Sequence, residues 1–127
     1  MRNACARAVA VAMLGAISLV ITAPASNADV NIWNNANFDA SAGSAHLGNY
    51  YADYTRLRYI QNGRNVNDTV SSLNVDSSAY LWETFWTDTH CRGTGYSVQR
   101  GTSRSYVGSR FNDTFSSHGE EWRQSGC

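Results

Sequence analysis

The chain has 127 residues, 10 Arg+Lys balanced by 10 Asp+Glu, and four Trp, seven Tyr and four Phe. That length suits one domain, and zero net charge leaves no basic field for wrapping nucleic acid. The aromatic content supports a packed core and excludes a disordered tail or a coiled coil.

Residues 1–28 read as a secretory signal peptide. Arg2 and Arg7 supply the positive start, 8–21 the apolar run, and Ser26-Asn27-Ala28 a small-x-small cleavage site. The apolar run is short for a membrane span. The expected product is a secreted, extracellular, monomeric domain at 29–127, carrying 8 Arg, no Lys, 10 acids and no Pro. Within it no stretch holds a 3.6-residue apolar period over ten residues. Short aromatic and β-branched runs separated by Gly, Asn, Asp and Ser predict strands at 30–33, 46–51, 55–60, 79–86, 95–100, 104–107 and near 120–123. Such spacing predicts an all-β sandwich or barrel.

An internal repeat organises these strands. Asn67-Asp68-Thr69-Val70-Ser71-Ser72 recurs as Asn112-Asp113-Thr114-Phe115-Ser116-Ser117, with a single difference. Each half opens with a Trp-bearing strand, Ile32-Trp33-Asn34 and Leu81-Trp82-Glu83. The halves, about 30–77 and 78–127, predict two four-stranded units packed face to face.

The hexapeptides carry calcium chemistry. Calcium takes six to eight oxygen ligands. Asp68 and Asp113 offer carboxylates, Ser71 and Ser116 hydroxyls, and Thr69 and Thr114 backbone carbonyls. The same residue types also build side-chain-to-backbone turns with no metal. Cys91 and Cys127, an even count in an exported chain, predict one disulfide tying the last residue to the middle of the domain. By chain entropy that loop is worth about 4 kcal/mol. No HExxH, GxSxG, P-loop or GxGxxG is present, so no catalytic residue is assigned and no enzyme is expected. His118 is expected at the solvent rim of the second loop and Glu120-Glu121 at a solvated edge; the Trp and Tyr set is expected mostly in the core, with Tyr50, Tyr51 and Tyr54 as candidate surface aromatics.

Asn-Asp-x-x-Ser-Ser, present twice, resembles the calcium motif of βγ-crystallin domains. Trp82, Trp86 and Gly93, and Trp33, Phe38 and Gly43, loosely match that family's aromatic–aromatic–Gly opening. The resemblance implies two Greek-key motifs in one β-sandwich, with paired calcium sites that each take their Ser from the other hexapeptide. About one full charge per site implies weak affinity, roughly 10⁻⁴ to 10⁻³ M, and a cation acting mainly as a folding ligand. Asn31-Ile32-Trp33-Asn34-Asn35-Ala36-Asn37-Phe38 and Tyr106-Val107-Gly108-Ser109-Arg110-Phe111-Asn112-Asp113 resemble segments of the streptomycete metalloproteinase inhibitor family. That likeness implies a rigid loop presented to an extracellular protease. Inhibitors of that family commonly carry two disulfides and this chain can make one, so no reactive bond is assigned. The alternatives are a calcium-stabilised structural or envelope-associated module and a killer-toxin-like protein.

Overall fold

Val30 and Ile32 are buried on one face of an extended segment while Asn31 between them is half-buried, the two-residue period of a strand with one face on a core. The computed structural model describes residues 29–77 and 81–120. Residues 1–28, expected as a signal peptide, and Glu121 and Cys127 lie outside the described residues. Among the described residues seven strands form: β1 (Asp29–Trp33), β2 (Ser44–Leu47), β3 (Ser72–Ser77), β4 (Trp82–Asp88), β5 (Arg92–Gln99), β6 (Thr102–Arg104) and β7 (Ser117–Glu120). The sheets run β2-β1-β3-β6 and β5-β4-β7, with every pair antiparallel.

The strand β6 belongs to the second half yet pairs with β3 of the first, Leu73 opposite Arg104. Its counterpart in the first half is a single bridge, Tyr51 to His118 of β7, with both N–H···O bonds at 3.0 Å. This reciprocal crossing is the Greek-key connection. It reduces the expected fourth strand of the second sheet to one residue pair.

The sheets enclose one core. Val30, Ile32, Leu73 and Val75 come from the first sheet and Phe85 and Val98 from the second, with Tyr54, Tyr59 and Phe115 arriving from loops. Each such side chain contributes about 1.5–3 kcal/mol on burial. Phe115 packs against Phe85 at 5.4 Å, Tyr96 at 5.7 Å and Phe111 at 5.9 Å between ring centroids.

Two local expectations change. The run 55–60 is not a strand. A 3-10 turn occupies Tyr54–Arg56, capped by the Asp53 carboxylate accepting from the Thr55 N–H, and only an Arg58–Asn65 bridge follows. The reason is spacing: Tyr54 and Tyr59, five apart, both anchor in the core, and an odd spacing would put them on opposite faces of one strand. The strand β3 was not expected. It begins at the last Ser of the first hexapeptide, where Leu73 and Val75 alternate with half-buried Asn74. Of the candidate surface aromatics, Tyr54 is fully buried, Tyr51 half-buried and Tyr50 exposed.

Candidate cation site

The two hexapeptides adopt one backbone shape. Asp68 and Asp113 stand at φ 54° and 57°, a left-handed conformation that Asp and Asn tolerate because the short polar side chain bonds locally. In each, the preceding Asn amide donates to the Asp carboxylate, Asn67 to Asp68 at 2.7 Å and Asn112 to Asp113 at 2.6 Å. The following Thr hydroxyl donates three residues back, Thr69 to Val66 and Thr114 to Phe111, both at 2.7 Å. These bonds are the metal-free turn chemistry anticipated for these residues, and they hold both carboxylates in place.

The hexapeptides then lie across one another. The Asp68 N–H donates to the Phe115 carbonyl at 3.1 Å, and the Asp113 N–H to the Val70 carbonyl at 3.2 Å. Within each half the loop is tied to the strand that opens it: the Ser71 N–H donates to the Trp33 carbonyl and the Ser116 N–H to the Trp86 carbonyl. Trp33 therefore corresponds to Trp86. The sequence pairing of Trp33 with Trp82 is corrected, and Trp82 stands 36% exposed at the start of β4. The correspondence extends along the chain, because Asn37 and Phe38 share left-handed φ values with His90 and Cys91. Asn34 thus matches Thr87, and Asn35 matches Asp88.

The structure brings Asp68 and Ser116 together. The Ser116 hydroxyl donates to the Asp68 carboxylate at 3.2 Å across the two halves. No such bond joins Ser71 to Asp113 among the described residues. The Thr69 carbonyl accepts from the Asn34 side-chain amide at 2.8 Å, whereas the Thr114 carbonyl accepts no hydrogen bond among the described residues. Asp88 reaches the same corner, since its backbone carbonyl accepts from the Ser117 hydroxyl at 2.6 Å. Partial burial raises the Asp68 carboxyl above its ordinary value; the Ser116 hydroxyl opposes that rise, and the Asp88 and Asp113 carboxylates add to it.

This donor set fits a hard cation held by oxygen. Carboxylates converge without an opposing charge, since the ion pair among the described residues is Arg56–Asp53, elsewhere on the surface. The Oδ1 atoms of Asn67 and Asn112 are buried beside those carboxylates without a hydrogen-bond partner. No three His, Cys, Asp or Glu side chains converge among the described residues. A cation here would rest on one or two carboxylates with hydroxyls and carbonyls, the donor set of a weak calcium site rather than a zinc site.

His118 does not sit at the rim. It is fully buried on β7, stacked on Phe85 at 5.6 Å. Its Nε2 faces the Gly48 carbonyl at 2.7 Å and so carries the proton; its Nδ1 accepts from the Tyr54 hydroxyl at 2.8 Å. Both ring nitrogens are occupied by structural bonds. Cys91 is buried and disulfide-bonded. Its expected partner, Cys127, lies outside the described residues.

Solved structures resemble this one. A βγ-crystallin from an archaeon is 21% identical at a TM-score of 0.56, covering 74% of this chain and 98% of its own. A βγ-crystallin from Ciona intestinalis is 20% identical at 0.55, covering 73% and 99%. A βγ-crystallin domain from Clostridium beijerinckii is 22% identical at 0.55, covering 72% and 94%. This chain has the βγ-crystallin fold. At these identities the likeness fixes the architecture of the βγ-crystallin domain and leaves its chemistry to its own residues. A double mutant of clostrillin, also similar, was solved in complex with nickel. No protein-family model and no curated protein matches the chain, and nothing in the comparisons links it to the streptomycete metalloproteinase inhibitors.

Asp88 and Asn34 were missed in the sequence. Neither lies in a hexapeptide, and pairing Trp33 with Trp82 hid their equivalence. Matching Trp33 and Phe38 with Trp86 and Cys91, which share a spacing, would have exposed it.

Proposed function

We propose that this protein is a secreted, calcium-stabilised βγ-crystallin module whose bound cation acts on stability rather than in a reaction. The observation carrying this reading is the contact of the Asp68 carboxylate with the Ser116 hydroxyl from the opposite hexapeptide, in a corner with no opposing charge among the described residues. Asp68, Ser116 and the Thr114 carbonyl would serve one cation; Asp113, Ser71 and the Thr69 carbonyl would serve a second. A bound cation would neutralise carboxylates that otherwise repel and would clamp the two halves together, because each site draws on both. Calorimetry tests the reading. Calcium added to the oxidised domain should release or absorb saturable heat, and the Asp68→Ala, Asp113→Ala double variant should lose it. Unchanged heat in the double variant would overturn the reading. The proteinase-inhibitor role rests on segment resemblance alone. Incubating the domain with a thermolysin-like protease in fixed calcium separates the two, since a stabilised module leaves the protease rate unchanged.

A further inference from the structure

The second sheet has a long strand at its edge. Strand β5 carries eight residues and, among the described residues, pairs with β4 alone. The direction of its remaining backbone groups follows from β7. There the His118 N–H and carbonyl both bond Tyr51, so those of Ser117 and Gly119 face β4. Gly119 lies opposite Thr84 and Ser117 opposite Trp86, so Glu83 and Phe85 turn their backbone groups the other way, to Val98 and Tyr96 of β5. The N–H and carbonyl of Gly95 and of Ser97 therefore point out of the sheet. Both residues are exposed, and no described strand lies on that side. The other edges are short or bridged: β2 has four residues, β6 three, and Tyr51 bridges β7. Folded proteins blunt an exposed edge with Pro, charge or brevity. Between Arg92 and Arg100 this edge has no Pro and no charged residue.

We propose that the β5 edge is a docking site for an extended, acid-ended peptide segment of another protein, added as a further strand through Gly95 and Ser97. The edge states the chemistry it takes. A residue opposite Tyr96 falls on the core face, beside a half-buried ring that packs on Phe111 at 4.9 Å, so an apolar side chain fits there. Residues opposite Gly95 and Ser97 fall on the outer face, where the Ser97 and Thr84 hydroxyls meet at 2.9 Å, so small polar side chains fit there. Arg92 and Arg100 bound the edge on either side of Tyr96 and call for an acidic residue at each end of the segment. The same arginines disfavour a second copy of the chain. The antiparallel self-pairing that uses both open residues sets Gly95 opposite Ser97 of the copy, and so sets Arg92 opposite Arg100, like charge against like.

The probe is an acetylated, amidated peptide as long as the stretch from Arg92 to Arg100, alternating Thr and Val about a central Val and ending in Glu on both sides. Titrated into the nitrogen-15-labelled, oxidised domain, it should shift the Gly95 and Ser97 amide signals saturably and more than any others, and slow their hydrogen exchange. Ending the peptide in Lys instead should weaken binding about tenfold. Ser97→Pro removes an N–H that β4 does not use, so the domain should keep its β-rich circular-dichroism spectrum and lose the peptide. If that variant fails to fold, a peptide N-methylated at the two Thr beside its central Val decides on the wild-type domain, because those amides make the new bonds; its binding should vanish. No saturable shift, shifts centred on other residues, or unchanged affinity for Ser97→Pro or for the methylated peptide would overturn the proposal. Concentration-dependent dimerisation of the peptide-free domain that shifts the same two amides would assign the edge to a second copy and overturn the peptide assignment.

Discussion

Asp68 and Asp113 combine two roles in one side chain. Each holds a left-handed backbone that Ala adopts only at a cost of about 1–2 kcal/mol, and each presents a carboxylate to a shared corner. Replacing either by Asn keeps the turn and removes the charge. In EDTA, Asp68→Asn should therefore melt within a few degrees of wild type, whereas Asp68→Ala should melt clearly lower. In millimolar calcium both should lose the calcium-dependent rise in Tm, as thermal denaturation would record. His118 sets a second residue-scale expectation. Burial lowers its ring to about 4, with the Gly48 carbonyl opposing the shift, and the carboxyl of Glu83 is buried nearby against Tyr54. The unfolded ring, near 6.5, binds more protons than the folded one between those values, so stability is complete above 6.5 and is lost as pH falls toward 4. The loss amounts to about 3 kcal/mol at most. Urea denaturation in EDTA at pH 7 and pH 4.5 should show it, and His118→Gln should flatten the difference; an equal slope in that variant would assign it to the carboxyls instead.

At the scale of elements, the turn between β1 and β2 is fitted closely against a buried ring. Gly43 has φ 128°, and a β-carbon there would stand 2.5 Å from the Tyr59 ring. Tyr59 is buried, and its hydroxyl meets the Thr69 hydroxyl at 2.9 Å, so the ring links this turn to the first hexapeptide. Gly43→Ala should destabilise the domain by about 2–4 kcal/mol in chemical denaturation, from strain and overpacking together. It should also weaken calcium binding at the Thr69 side more than at the Thr114 side. Gly48→Ala, where a β-carbon meets nothing within 4 Å, is the control and should stay near wild type. The same element explains why 55–60 reads as a strand and is not one. Tyr59 points inward, but pairing stops at the Arg58–Asn65 bridge, and the Asp53 cap starts a tight turn ahead of it.

Over the whole molecule, neither half is a folding unit. The strand β6 completes the first sheet from the second half, the Tyr51 bridge returns the favour to β7, and Phe115 packs among second-half rings beneath both hexapeptides. A fragment ending at residue 77 loses β6 and exposes one face of Val30, Ile32, Leu73 and Val75, so it should show a random-coil circular-dichroism spectrum where the full domain is β-rich. A folded fragment would show that the crossing strands are dispensable. The disulfide of Cys91 acts on the same scale. If it closes on Cys127, the unfolded oxidised domain should yield no free thiol, and the double Ser variant should lose up to about 4 kcal/mol.

The sequence by itself determined the all-β class, the repeat and the identity of the paired loops. Those features are local: two-residue alternation in β1, Asp in a turn that demands a left-handed residue, and a hexapeptide written twice. It also named Asp68, Thr69, Ser71, Asp113, Thr114 and Ser116. Only the tertiary structure decided which of them meet. Asp68 and Ser116 are 48 positions apart and touch because the hexapeptides exchange backbone hydrogen bonds across the halves. The Asp88 backbone carbonyl joins them at the end of β4, and His118 turns inward because its register opposite the buried Phe85 puts it on the core face. Contacts of this kind depend on sheet order and strand crossing, which leave no periodicity in the chain.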